Sequence, residues 1–291
     1  MVSKKALAIG VIVTVVVVVV IVVSSVLLTQ KAEFRETFMK KCLEFPEEKH
    51  ICETIWTNFE QAYVGKEKCN FSDQNYDQLF AETPFKHPCG KTMFWSKTKD
   101  LVHKFTKKRD CFFTLEDTLL GYVLNGLSWC GEKGNNETFT ENCEDCLNNP
   151  VSSFWKIAST RFAQYACEGA SVMLDGERKE PYDSNSFFGG VEVPNLQPPK
   201  VKNLTVVLVT EEIRACTCDS LGTLRKDLDQ RIGCACKAVT KYVRIIRHCP
   251  ILLVLKRHHV ILCIHSVHLL FHCRSRVETC IEDNTPCGAC W

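Results

Sequence analysis

The sequence predicts a disulfide-rich α+β protein with a transmembrane helix at its N-terminus. Three observations predict it: an uncharged run from Ala6 to Leu28, 19 cysteines in 291 residues, and a change from helical to strand-like patterning along the chain. The length fits one or two domains behind an anchor. The net charge of +2 is close to neutral, so it gives no indication of a nucleic-acid partner.

The N-terminal run is dominated by valine. At about 1.5 Å per residue, Ala6–Leu28 is long enough to cross a hydrocarbon core of about 30 Å. It exceeds the apolar region of a signal peptide, which has about 7–15 residues. We interpret it as an uncleaved signal-anchor, with cleavage near Ser24-Ser25 as the alternative. Residues 1–5 then form a cytoplasmic tail, and residues 29–41 form a short charged stalk.

The cysteines place the rest of the chain in an oxidising compartment. So many cysteines are untypical of a cytosolic protein and are typical of a disulfide framework. Lysines and arginines flank the span on both sides, so the positive-inside rule does not settle its orientation. Three glycosylation sequons, at Asn70, Asn136 and Asn203, all follow the span. These features favour a single-pass type II protein of the plasma membrane with an extracellular body.

Hydrophobic spacing predicts the elements of that body. From Cys42 to about Tyr122 apolar residues recur at three- and four-residue intervals, which is typical of helices, and Ser152–Cys167 repeats this pattern. Val172–Leu174, before the turn Asp175-Gly176, indicates a strand. The β-branched run within Val201–Thr210 predicts a buried strand.

Two acidic motifs and two tryptophans suggest chemistry on a cationic ring. Glu116 lies in the run Thr114–Tyr122, and Glu192 lies between two valines about 70 residues later. Tryptophan faces such as those of Trp95 and Trp155 can stack on a flat cation. A carboxylate can stabilise or trap an oxocarbenium centre on a sugar. Singly, each residue is more often a core tryptophan or a solvated surface carboxylate.

Five runs together resemble the ADP-ribosyl cyclase family, whose members are ectoenzymes that act on NAD: Thr114–Tyr122, Ser128–Glu132, Asn148–Ser152, Phe154–Lys156 and Val191–Val193. The resemblance extends from about Cys42 to about Cys236, with a short echo at the C-terminus. It implies a helical N-terminal domain and a C-terminal domain with a small parallel sheet flanked by helices. The chain crosses between them more than once, and the active site lies in the cleft.

The resemblance also implies disulfide pairs. It pairs Cys42 with Cys52, Cys69 with Cys146, Cys89 with Cys167, and Cys130 with Cys143. Cys216 or Cys218 pairs with Cys234 or Cys236, with a metal site as the alternative for these four, and Cys280 pairs with Cys287 or Cys290. Cys111 has no obvious partner, so we expect a buried free thiol there.

The resemblance assigns roles to residues. NAD carries its own cationic leaving group, so no general acid is needed. Glu192 acts at the ribosyl centre, as a nucleophile or an electrostatic partner. Glu116, helped by Asp117, contacts nicotinamide and sets the balance between cyclisation and hydrolysis. Six further groups bind substrate: Trp95 and Trp155 by stacking, Ser159 through ribose hydroxyls, and Ser96, Lys97 and the backbone around Phe188 through the diphosphate.

Three positions depart from the family pattern. Lys97 stands where the family often has arginine, which weakens bidentate phosphate binding. Phe187 stands where threonine is common, and Asn125 where aspartate is common. None of these changes affects the two glutamates or the two tryptophans.

The segment 243–274 also departs from the family. It holds six of the nine histidines and three cysteines in an apolar background. A second membrane span is a poor interpretation, because a central Lys256 or Arg257 costs about 3 kcal/mol. Metal binding lacks regular ligand spacing. We interpret the segment as an insertion without catalytic role, either a retained intron or a lineage-specific loop, before a family-like tail at 275–291.

The resemblance therefore predicts a membrane ectoenzyme that releases nicotinamide from NAD and makes ADP-ribose with some cyclic ADP-ribose. It needs no metal or bound cofactor, and its small-molecule partners are NAD and cyclic ADP-ribose. A homodimer or a cell-surface protein ligand stays open. The alternative is a catalytically impaired receptor or adhesion protein on the same fold.

Overall fold

The computed structural model describes residues 4–46, 51–107, 111–212 and 214–240. The chain forms two compact units, and it passes from one to the other three times. Unit 1 comprises Met1–Pro84 and Leu119–Ala158, and unit 2 comprises Phe85–Thr118 and Ser159–Trp291. The mixed α+β class that the sequence predicts is confirmed.

The α-helices are α1 (Lys4–Glu44), α2 (Cys52–Tyr63), α3 (Asp77–Glu82), α4 (Lys99–Thr106), α5 (Leu119–Leu124), α6 (Pro150–Tyr165), α7 (Val193–Asn195) and α8 (Leu224–Asp227). Short 3-10 helices are Asp73–Tyr76, Leu115–Asp117 and Cys218–Ser220, and Phe188–Glu192 is a π-helix. The strands are β1 (Thr92–Ser96), β2 (Cys130–Glu132), β3 (Asn135–Phe139), β4 (Glu168–Asp175), β5 (Val201–Thr210) and β6 (Gly233–Thr240).

Helix α1 is one continuous element of 41 residues. Its part from Ile12 onward contains a stretch with a mean hydropathy of 3.1 and none of that stretch is buried, so it qualifies as a membrane span. The sequence predicts a charged stalk at residues 29–41, but the structure has the last four turns of α1 there. Phe34, Phe38 and Cys42 recur every fourth residue and are buried in unit 1. The helix therefore serves both as anchor and as core element.

The core of unit 1 is aromatic. Phe34 and Phe38 pack against Trp56 and Phe59 of α2, with ring centroids 5.1–6.1 Å apart. Helix α6 begins with a reciprocal cap, in which the Asn149 side chain accepts from the backbone of Ser152 at 2.8 Å. The run Asn148–Ser152 is therefore a helix start.

Unit 2 contains a four-stranded parallel sheet in the order β1-β4-β5-β6. Strand β5 contains the predicted β-branched run and is largely buried, and β4 extends the predicted strand toward its N-terminus. Strand β1 lies in a region that the spacing predicts to be helical, so that prediction is wrong for Thr92–Ser96. Core residues on three strands, Met93, Met173 and Val207, pack together beside α4.

Six disulfides lie among the described residues. They include the four pairs that the resemblance implies, from Cys42–Cys52 to Cys130–Cys143. The two CxC motifs form two disulfides, Cys216–Cys236 and Cys218–Cys234, in place of a metal site. Cys111 is disulfide-bonded, so the expected free thiol is wrong. The insertion 243–274, the tail 275–291 and Cys280, Cys287 and Cys290 lie outside the described residues.

Candidate active site

Glu192 ends the π-helix Phe188–Glu192 in unit 2. Single-turn π-helices are rare and frequently occur at functional sites. The Glu192 side chain is only 7% exposed. The Ser159 hydroxyl, on α6, donates a hydrogen bond to its carboxylate. Burial beside a neutral hydroxyl donor makes this carboxyl group unusual, because buried acids are normally paired with a cation.

The residues before Glu192 explain how the π-helix is held. Phe188 is buried, and its ring packs against Phe94 of β1 and Tyr182 at 5.8 and 6.0 Å. A Cβ atom on Gly189 would lie 2.3 Å from the backbone oxygen of Asp183. Only glycine permits this close approach. The Phe188-Gly189 pair therefore fixes the segment that carries Glu192 against the sheet.

Glu116 lies on the 3-10 helix that follows Thr114. The Asp117 carboxylate accepts from both the backbone N–H and the hydroxyl of Thr114, each at 2.8 Å, and so caps this turn. The Trp95 indole N–H donates to Glu116 Oε2 at 3.2 Å. The preceding residue Phe113 pairs with the backbone of β1, which brings Glu116 beside Trp95. Asp117 thus fixes the backbone turn on which Glu116 lies.

Strand β1 ends at the same site. Trp95 and Ser96 are its last residues, and Ser96 is buried. Lys97 follows with a φ of 61°, a left-handed conformation that turns the chain. The Thr98 hydroxyl donates to the backbone oxygen of Met173 at 2.9 Å and secures that turn. Ligands bind at the carboxyl ends of strands in open parallel sheets, and this edge offers Ser96 and Lys97 there.

The pKa of Glu192 is raised to about 8, chiefly by burial; the Ser159 hydrogen bond lowers the pKa, and the nearby negative charge of Glu116 raises it. At neutral pH the resting protein therefore holds this group mainly as a neutral acid. A cation placed beside the two carboxyl groups would favour its ionised form. Such a perturbed carboxyl group is a mark of functional sites.

The structure brings together four of the predicted residues, all in unit 2: Trp95, Glu116, Ser159 and Glu192. Trp155 lies four residues before Ser159 on α6 and is assigned to unit 1, where its ring meets Phe154 edge-on. Asn125 also belongs to unit 1, and its backbone oxygen accepts from the Lys41 ammonium at 2.7 Å. Phe187 is 49% exposed beside the buried Phe188.

Sequence reasoning missed His103 on α4. Its ring meets the Trp95 indole edge-on, with centroids 5.6 Å apart and an interplanar angle of 71°. Its Nε2 atom is buried and has no hydrogen-bond partner within the part of the chain that the structure describes. No motif marked His103, because a lone histidine on an amphipathic helix resembles any other.

Comparisons with known proteins identify the family of this chain. The family model for ADP-ribosyl cyclase matches residues 31–250. ADP-ribosyl cyclase/cyclic ADP-ribose hydrolase 1 of Mus musculus is 38% identical over 212 residues, which are 68% of this chain and 70% of that protein.

Two solved structures are similar throughout the body. Porcine CD38, in complex with the covalent intermediate ribo-F-ribose-5'-phosphate, superimposes with a TM-score of 0.64 and 35% identity over 72% of this chain and 96% of that one. Aplysia cyclase, in complex with the substrate NGD and the product cGDPR, gives 0.61 and 28% over 71% and 88%.

The sheet, the π-helix and the paired carboxyl groups define an α+β enzyme with an acidic site. The chain belongs to the ADP-ribosyl cyclase family. It carries, before the family region, an apolar helix of a membrane-anchored protein.

Proposed function

We propose that this protein cleaves the nicotinamide–ribose bond of NAD and releases ADP-ribose and cyclic ADP-ribose, and that it also hydrolyses cyclic ADP-ribose. The observation that carries the proposal is the buried Glu192, hydrogen-bonded to Ser159 and beside the Glu116–Trp95 pair. Family membership supports it.

The chemistry follows from charge. When the C1'–N bond of NAD breaks, its electron pair neutralises the pyridinium nitrogen, and positive charge moves to the ribose C1' atom. Glu192, as a carboxylate, then stabilises that centre or bonds to C1'. In the next step a water oxygen or the adenine ring attacks C1', and attack by water releases a proton. The cationic ring itself promotes the ionisation of Glu192, since it opposes the effect of Glu116 on that pKa.

Glu116 controls the nucleophile in this proposal. The Trp95 N–H fixes one carboxylate oxygen of Glu116 at 3.2 Å, which leaves the other oxygen to bind the nicotinamide amide. Retention of nicotinamide affects whether water or adenine reaches C1'. Ser159, already bonded to Glu192, lies where a ribose hydroxyl can join the same network.

The remaining assignments rest on the family match. Trp155 stacks on the substrate, and Ser96, Lys97 and the backbone near Phe188 bind the diphosphate. No metal or bound cofactor takes part.

The location is also a proposal. The protein is a type II protein of the plasma membrane, with α1 as signal-anchor and the body outside the cell. The six disulfides support an oxidising compartment. Asn70, Asn136 and Asn203 are exposed, as glycan acceptors must be. Glycosidase treatment of protein expressed in mammalian cells is expected to increase its gel mobility, and unchanged mobility would contradict an extracellular body.

The test of activity compares Glu192→Gln with Glu144→Gln, a matched change at an exposed position of unit 1. The purified proteins receive NAD, and chromatography quantifies nicotinamide, ADP-ribose and cyclic ADP-ribose. Glu192→Gln is expected to lower turnover by orders of magnitude, because it removes a charge needed in the transition state. Glu144→Gln should act like the parent. Retention of more than about a tenth of turnover by Glu192→Gln would refute the role.

A further inference from the structure

The anchor helix enters the protein without a break. Helix α1 runs from Lys4 to Glu44, and Phe34 is a buried side chain soon after the apolar stretch. At about 1.5 Å per residue, Phe34 lies only about 9 Å beyond Leu28, where the apolar run ends. A helix whose C-terminal end packs into the body and whose N-terminal part spans the lipid holds the body close to the bilayer.

The level of the lipid headgroups can be placed along this helix. Each interfacial layer of a bilayer is about 5–7 Å thick. Lys31 lies about 4.5 Å beyond Leu28 and is therefore at headgroup level. Its ammonium pairs with Glu60 Oε1 of α2 at 3.0 Å. That ion pair brings the C-terminal end of α2 to the same level.

Helix α2 runs antiparallel to α1, and its direction decides which end faces the membrane. Cys52, at its start, is bonded to Cys42, far from the span. Phe59 packs on Phe34 and Glu60 pairs with Lys31, near the span. Tyr63, the last residue of α2, and the turn after it therefore point toward the bilayer.

The β2–β3 hairpin lies at this end of unit 1. The Tyr63 hydroxyl and the Thr138 hydroxyl of β3 are 2.9 Å apart. Gly131 contacts the backbone of Tyr63 so closely that a Cβ atom there would lie 2.1 Å from its oxygen. At the hairpin tip, Lys133 pairs with Glu67 at 3.2 Å.

We propose that the turn at 64–68 and the tip of the β2–β3 hairpin form a membrane-contact surface that rests on the headgroups of the bilayer spanned by α1. The inference rests on the membrane anchoring proposed above and is independent of the reaction. It defines an orientation of unit 1 at the membrane in place of the free tethering that a flexible stalk would give.

The charges of this surface indicate the kind of lipid. Lys31, Lys68 and Lys133 are each paired with a carboxylate of unit 1, at 3.0, 2.7 and 3.2 Å. Lys66, in the same turn, donates to the amide oxygen of Asn75 at 3.1 Å and keeps its charge. With three of these four lysines neutralised, the surface gains little from anionic lipids. Contact is therefore imposed by the helix, and it occurs on a zwitterionic phosphatidylcholine bilayer and persists at high salt.

The experiment measures the depth of two positions in the full chain. A fluorescent non-natural amino acid replaces either Lys133 or Leu43, and each protein is placed in phosphatidylcholine nanodiscs that contain headgroup spin-labelled lipid. Leu43 is the matched control, because it is 46% exposed and lies on α1 about 22 Å beyond Leu28. We expect quenching at position 133 several-fold stronger than at position 43, and unchanged by salt.

A second variant carries a flexible insertion of Gly and Ser after Thr29. It keeps both the span and the body but breaks the rigid connection, so quenching at position 133 should fall to the level at position 43. Equal quenching at the two positions, or unchanged quenching after the insertion, would overturn the membrane-contact surface. Failure of the parent to co-elute with nanodiscs would overturn the anchor itself, and with it this surface. NAD cleavage is measured separately, so neither result affects the proposed reaction.

Discussion

Replacement of Glu192 by glutamine is expected to stabilise the protein at alkaline pH while it removes activity. The folded-state pKa of Glu192 is about 8, against 4.5 for the group in its ordinary environment. Between these values the folded protein binds a proton that the unfolded chain has lost. The free energy of unfolding therefore falls as pH rises through this window, and the penalty is complete above pH 8.

The size of the effect follows from the same numbers. A pKa difference of about 3.5, at 1.36 kcal/mol for each unit, corresponds to about 5 kcal/mol above pH 8. At pH 5 the penalty is below about 1 kcal/mol. Glutamine keeps the shape of the side chain and can accept the Ser159 hydrogen bond, and it carries no charge. For a protein of this size 1 kcal/mol moves the melting temperature by about 2–4 °C.

Thermal unfolding followed by near-UV circular dichroism at pH 5 and pH 8.5 measures this difference. Glu192→Gln should melt close to the parent at pH 5 and about 10 °C or more above it at pH 8.5. Glu144→Gln, at an exposed position, should follow the parent at both values. If Glu192→Gln and the parent lose the same stability between the two pH values, Glu192 is not a buried acid with a raised pKa, and the reasoning fails.

Three further predictions follow from the same structure. The value of kcat/KM should rise with pH up to about 8, because the free enzyme must ionise Glu192. The value of kcat should depend less on pH, because the bound cation lowers the pKa of Glu192. Identical pH profiles for the two constants would contradict ionisation assisted by the substrate. Glu116→Ala should raise the cyclic fraction of the products while NAD is still consumed, and an unchanged product ratio by chromatography would remove Glu116 from this control. A soluble form that begins at Lys31 should be secreted, whereas one that begins at Cys42 should not. The shorter form lacks the buried Phe34 and Phe38, each of which contributes about 3–5 kcal/mol to the free energy of unfolding. Equal secreted yields would contradict the core role of α1.

The elements that could be predicted are those whose local pattern agrees with their environment. Strand β5 is a β-branched run buried on both faces, and α6 has apolar residues at helical spacing throughout. Strand β1 has five residues within a region of helical spacing, and its extended form depends on pairing with β4, about 75 residues away in sequence. Strand β6 alternates small residues and cysteines on the sheet edge, so it lacks the apolar signal of a strand.

The prediction of a charged stalk at residues 29–41 is wrong for a different reason, because the sequence does contain the pattern of a packed helix. Phe34, Phe38 and Cys42 are four residues apart, which is the spacing of one face of a helix. Neighbouring charges such as Lys31 and Arg35 give the same segment a polar composition. Both side chains form ion pairs with α2, so they lie at the edge of the packed face.

The candidate site also has a part that local sequence patterns predict and a part that depends on the fold. Motifs can identify Glu116 and Glu192 as candidates, because each lies in a distinctive run. Their mutual effect cannot be read from the chain, since it depends on how β1, α6 and the π-helix bring Trp95, Ser159 and two carboxyl groups together. Burial, with the charge of Glu116 nearby, raises the pKa of Glu192. In the reaction that we propose, NAD brings a cationic ring whose charge favours ionisation of Glu192, and departure of nicotinamide leaves the carboxylate beside the newly formed positive centre at C1'.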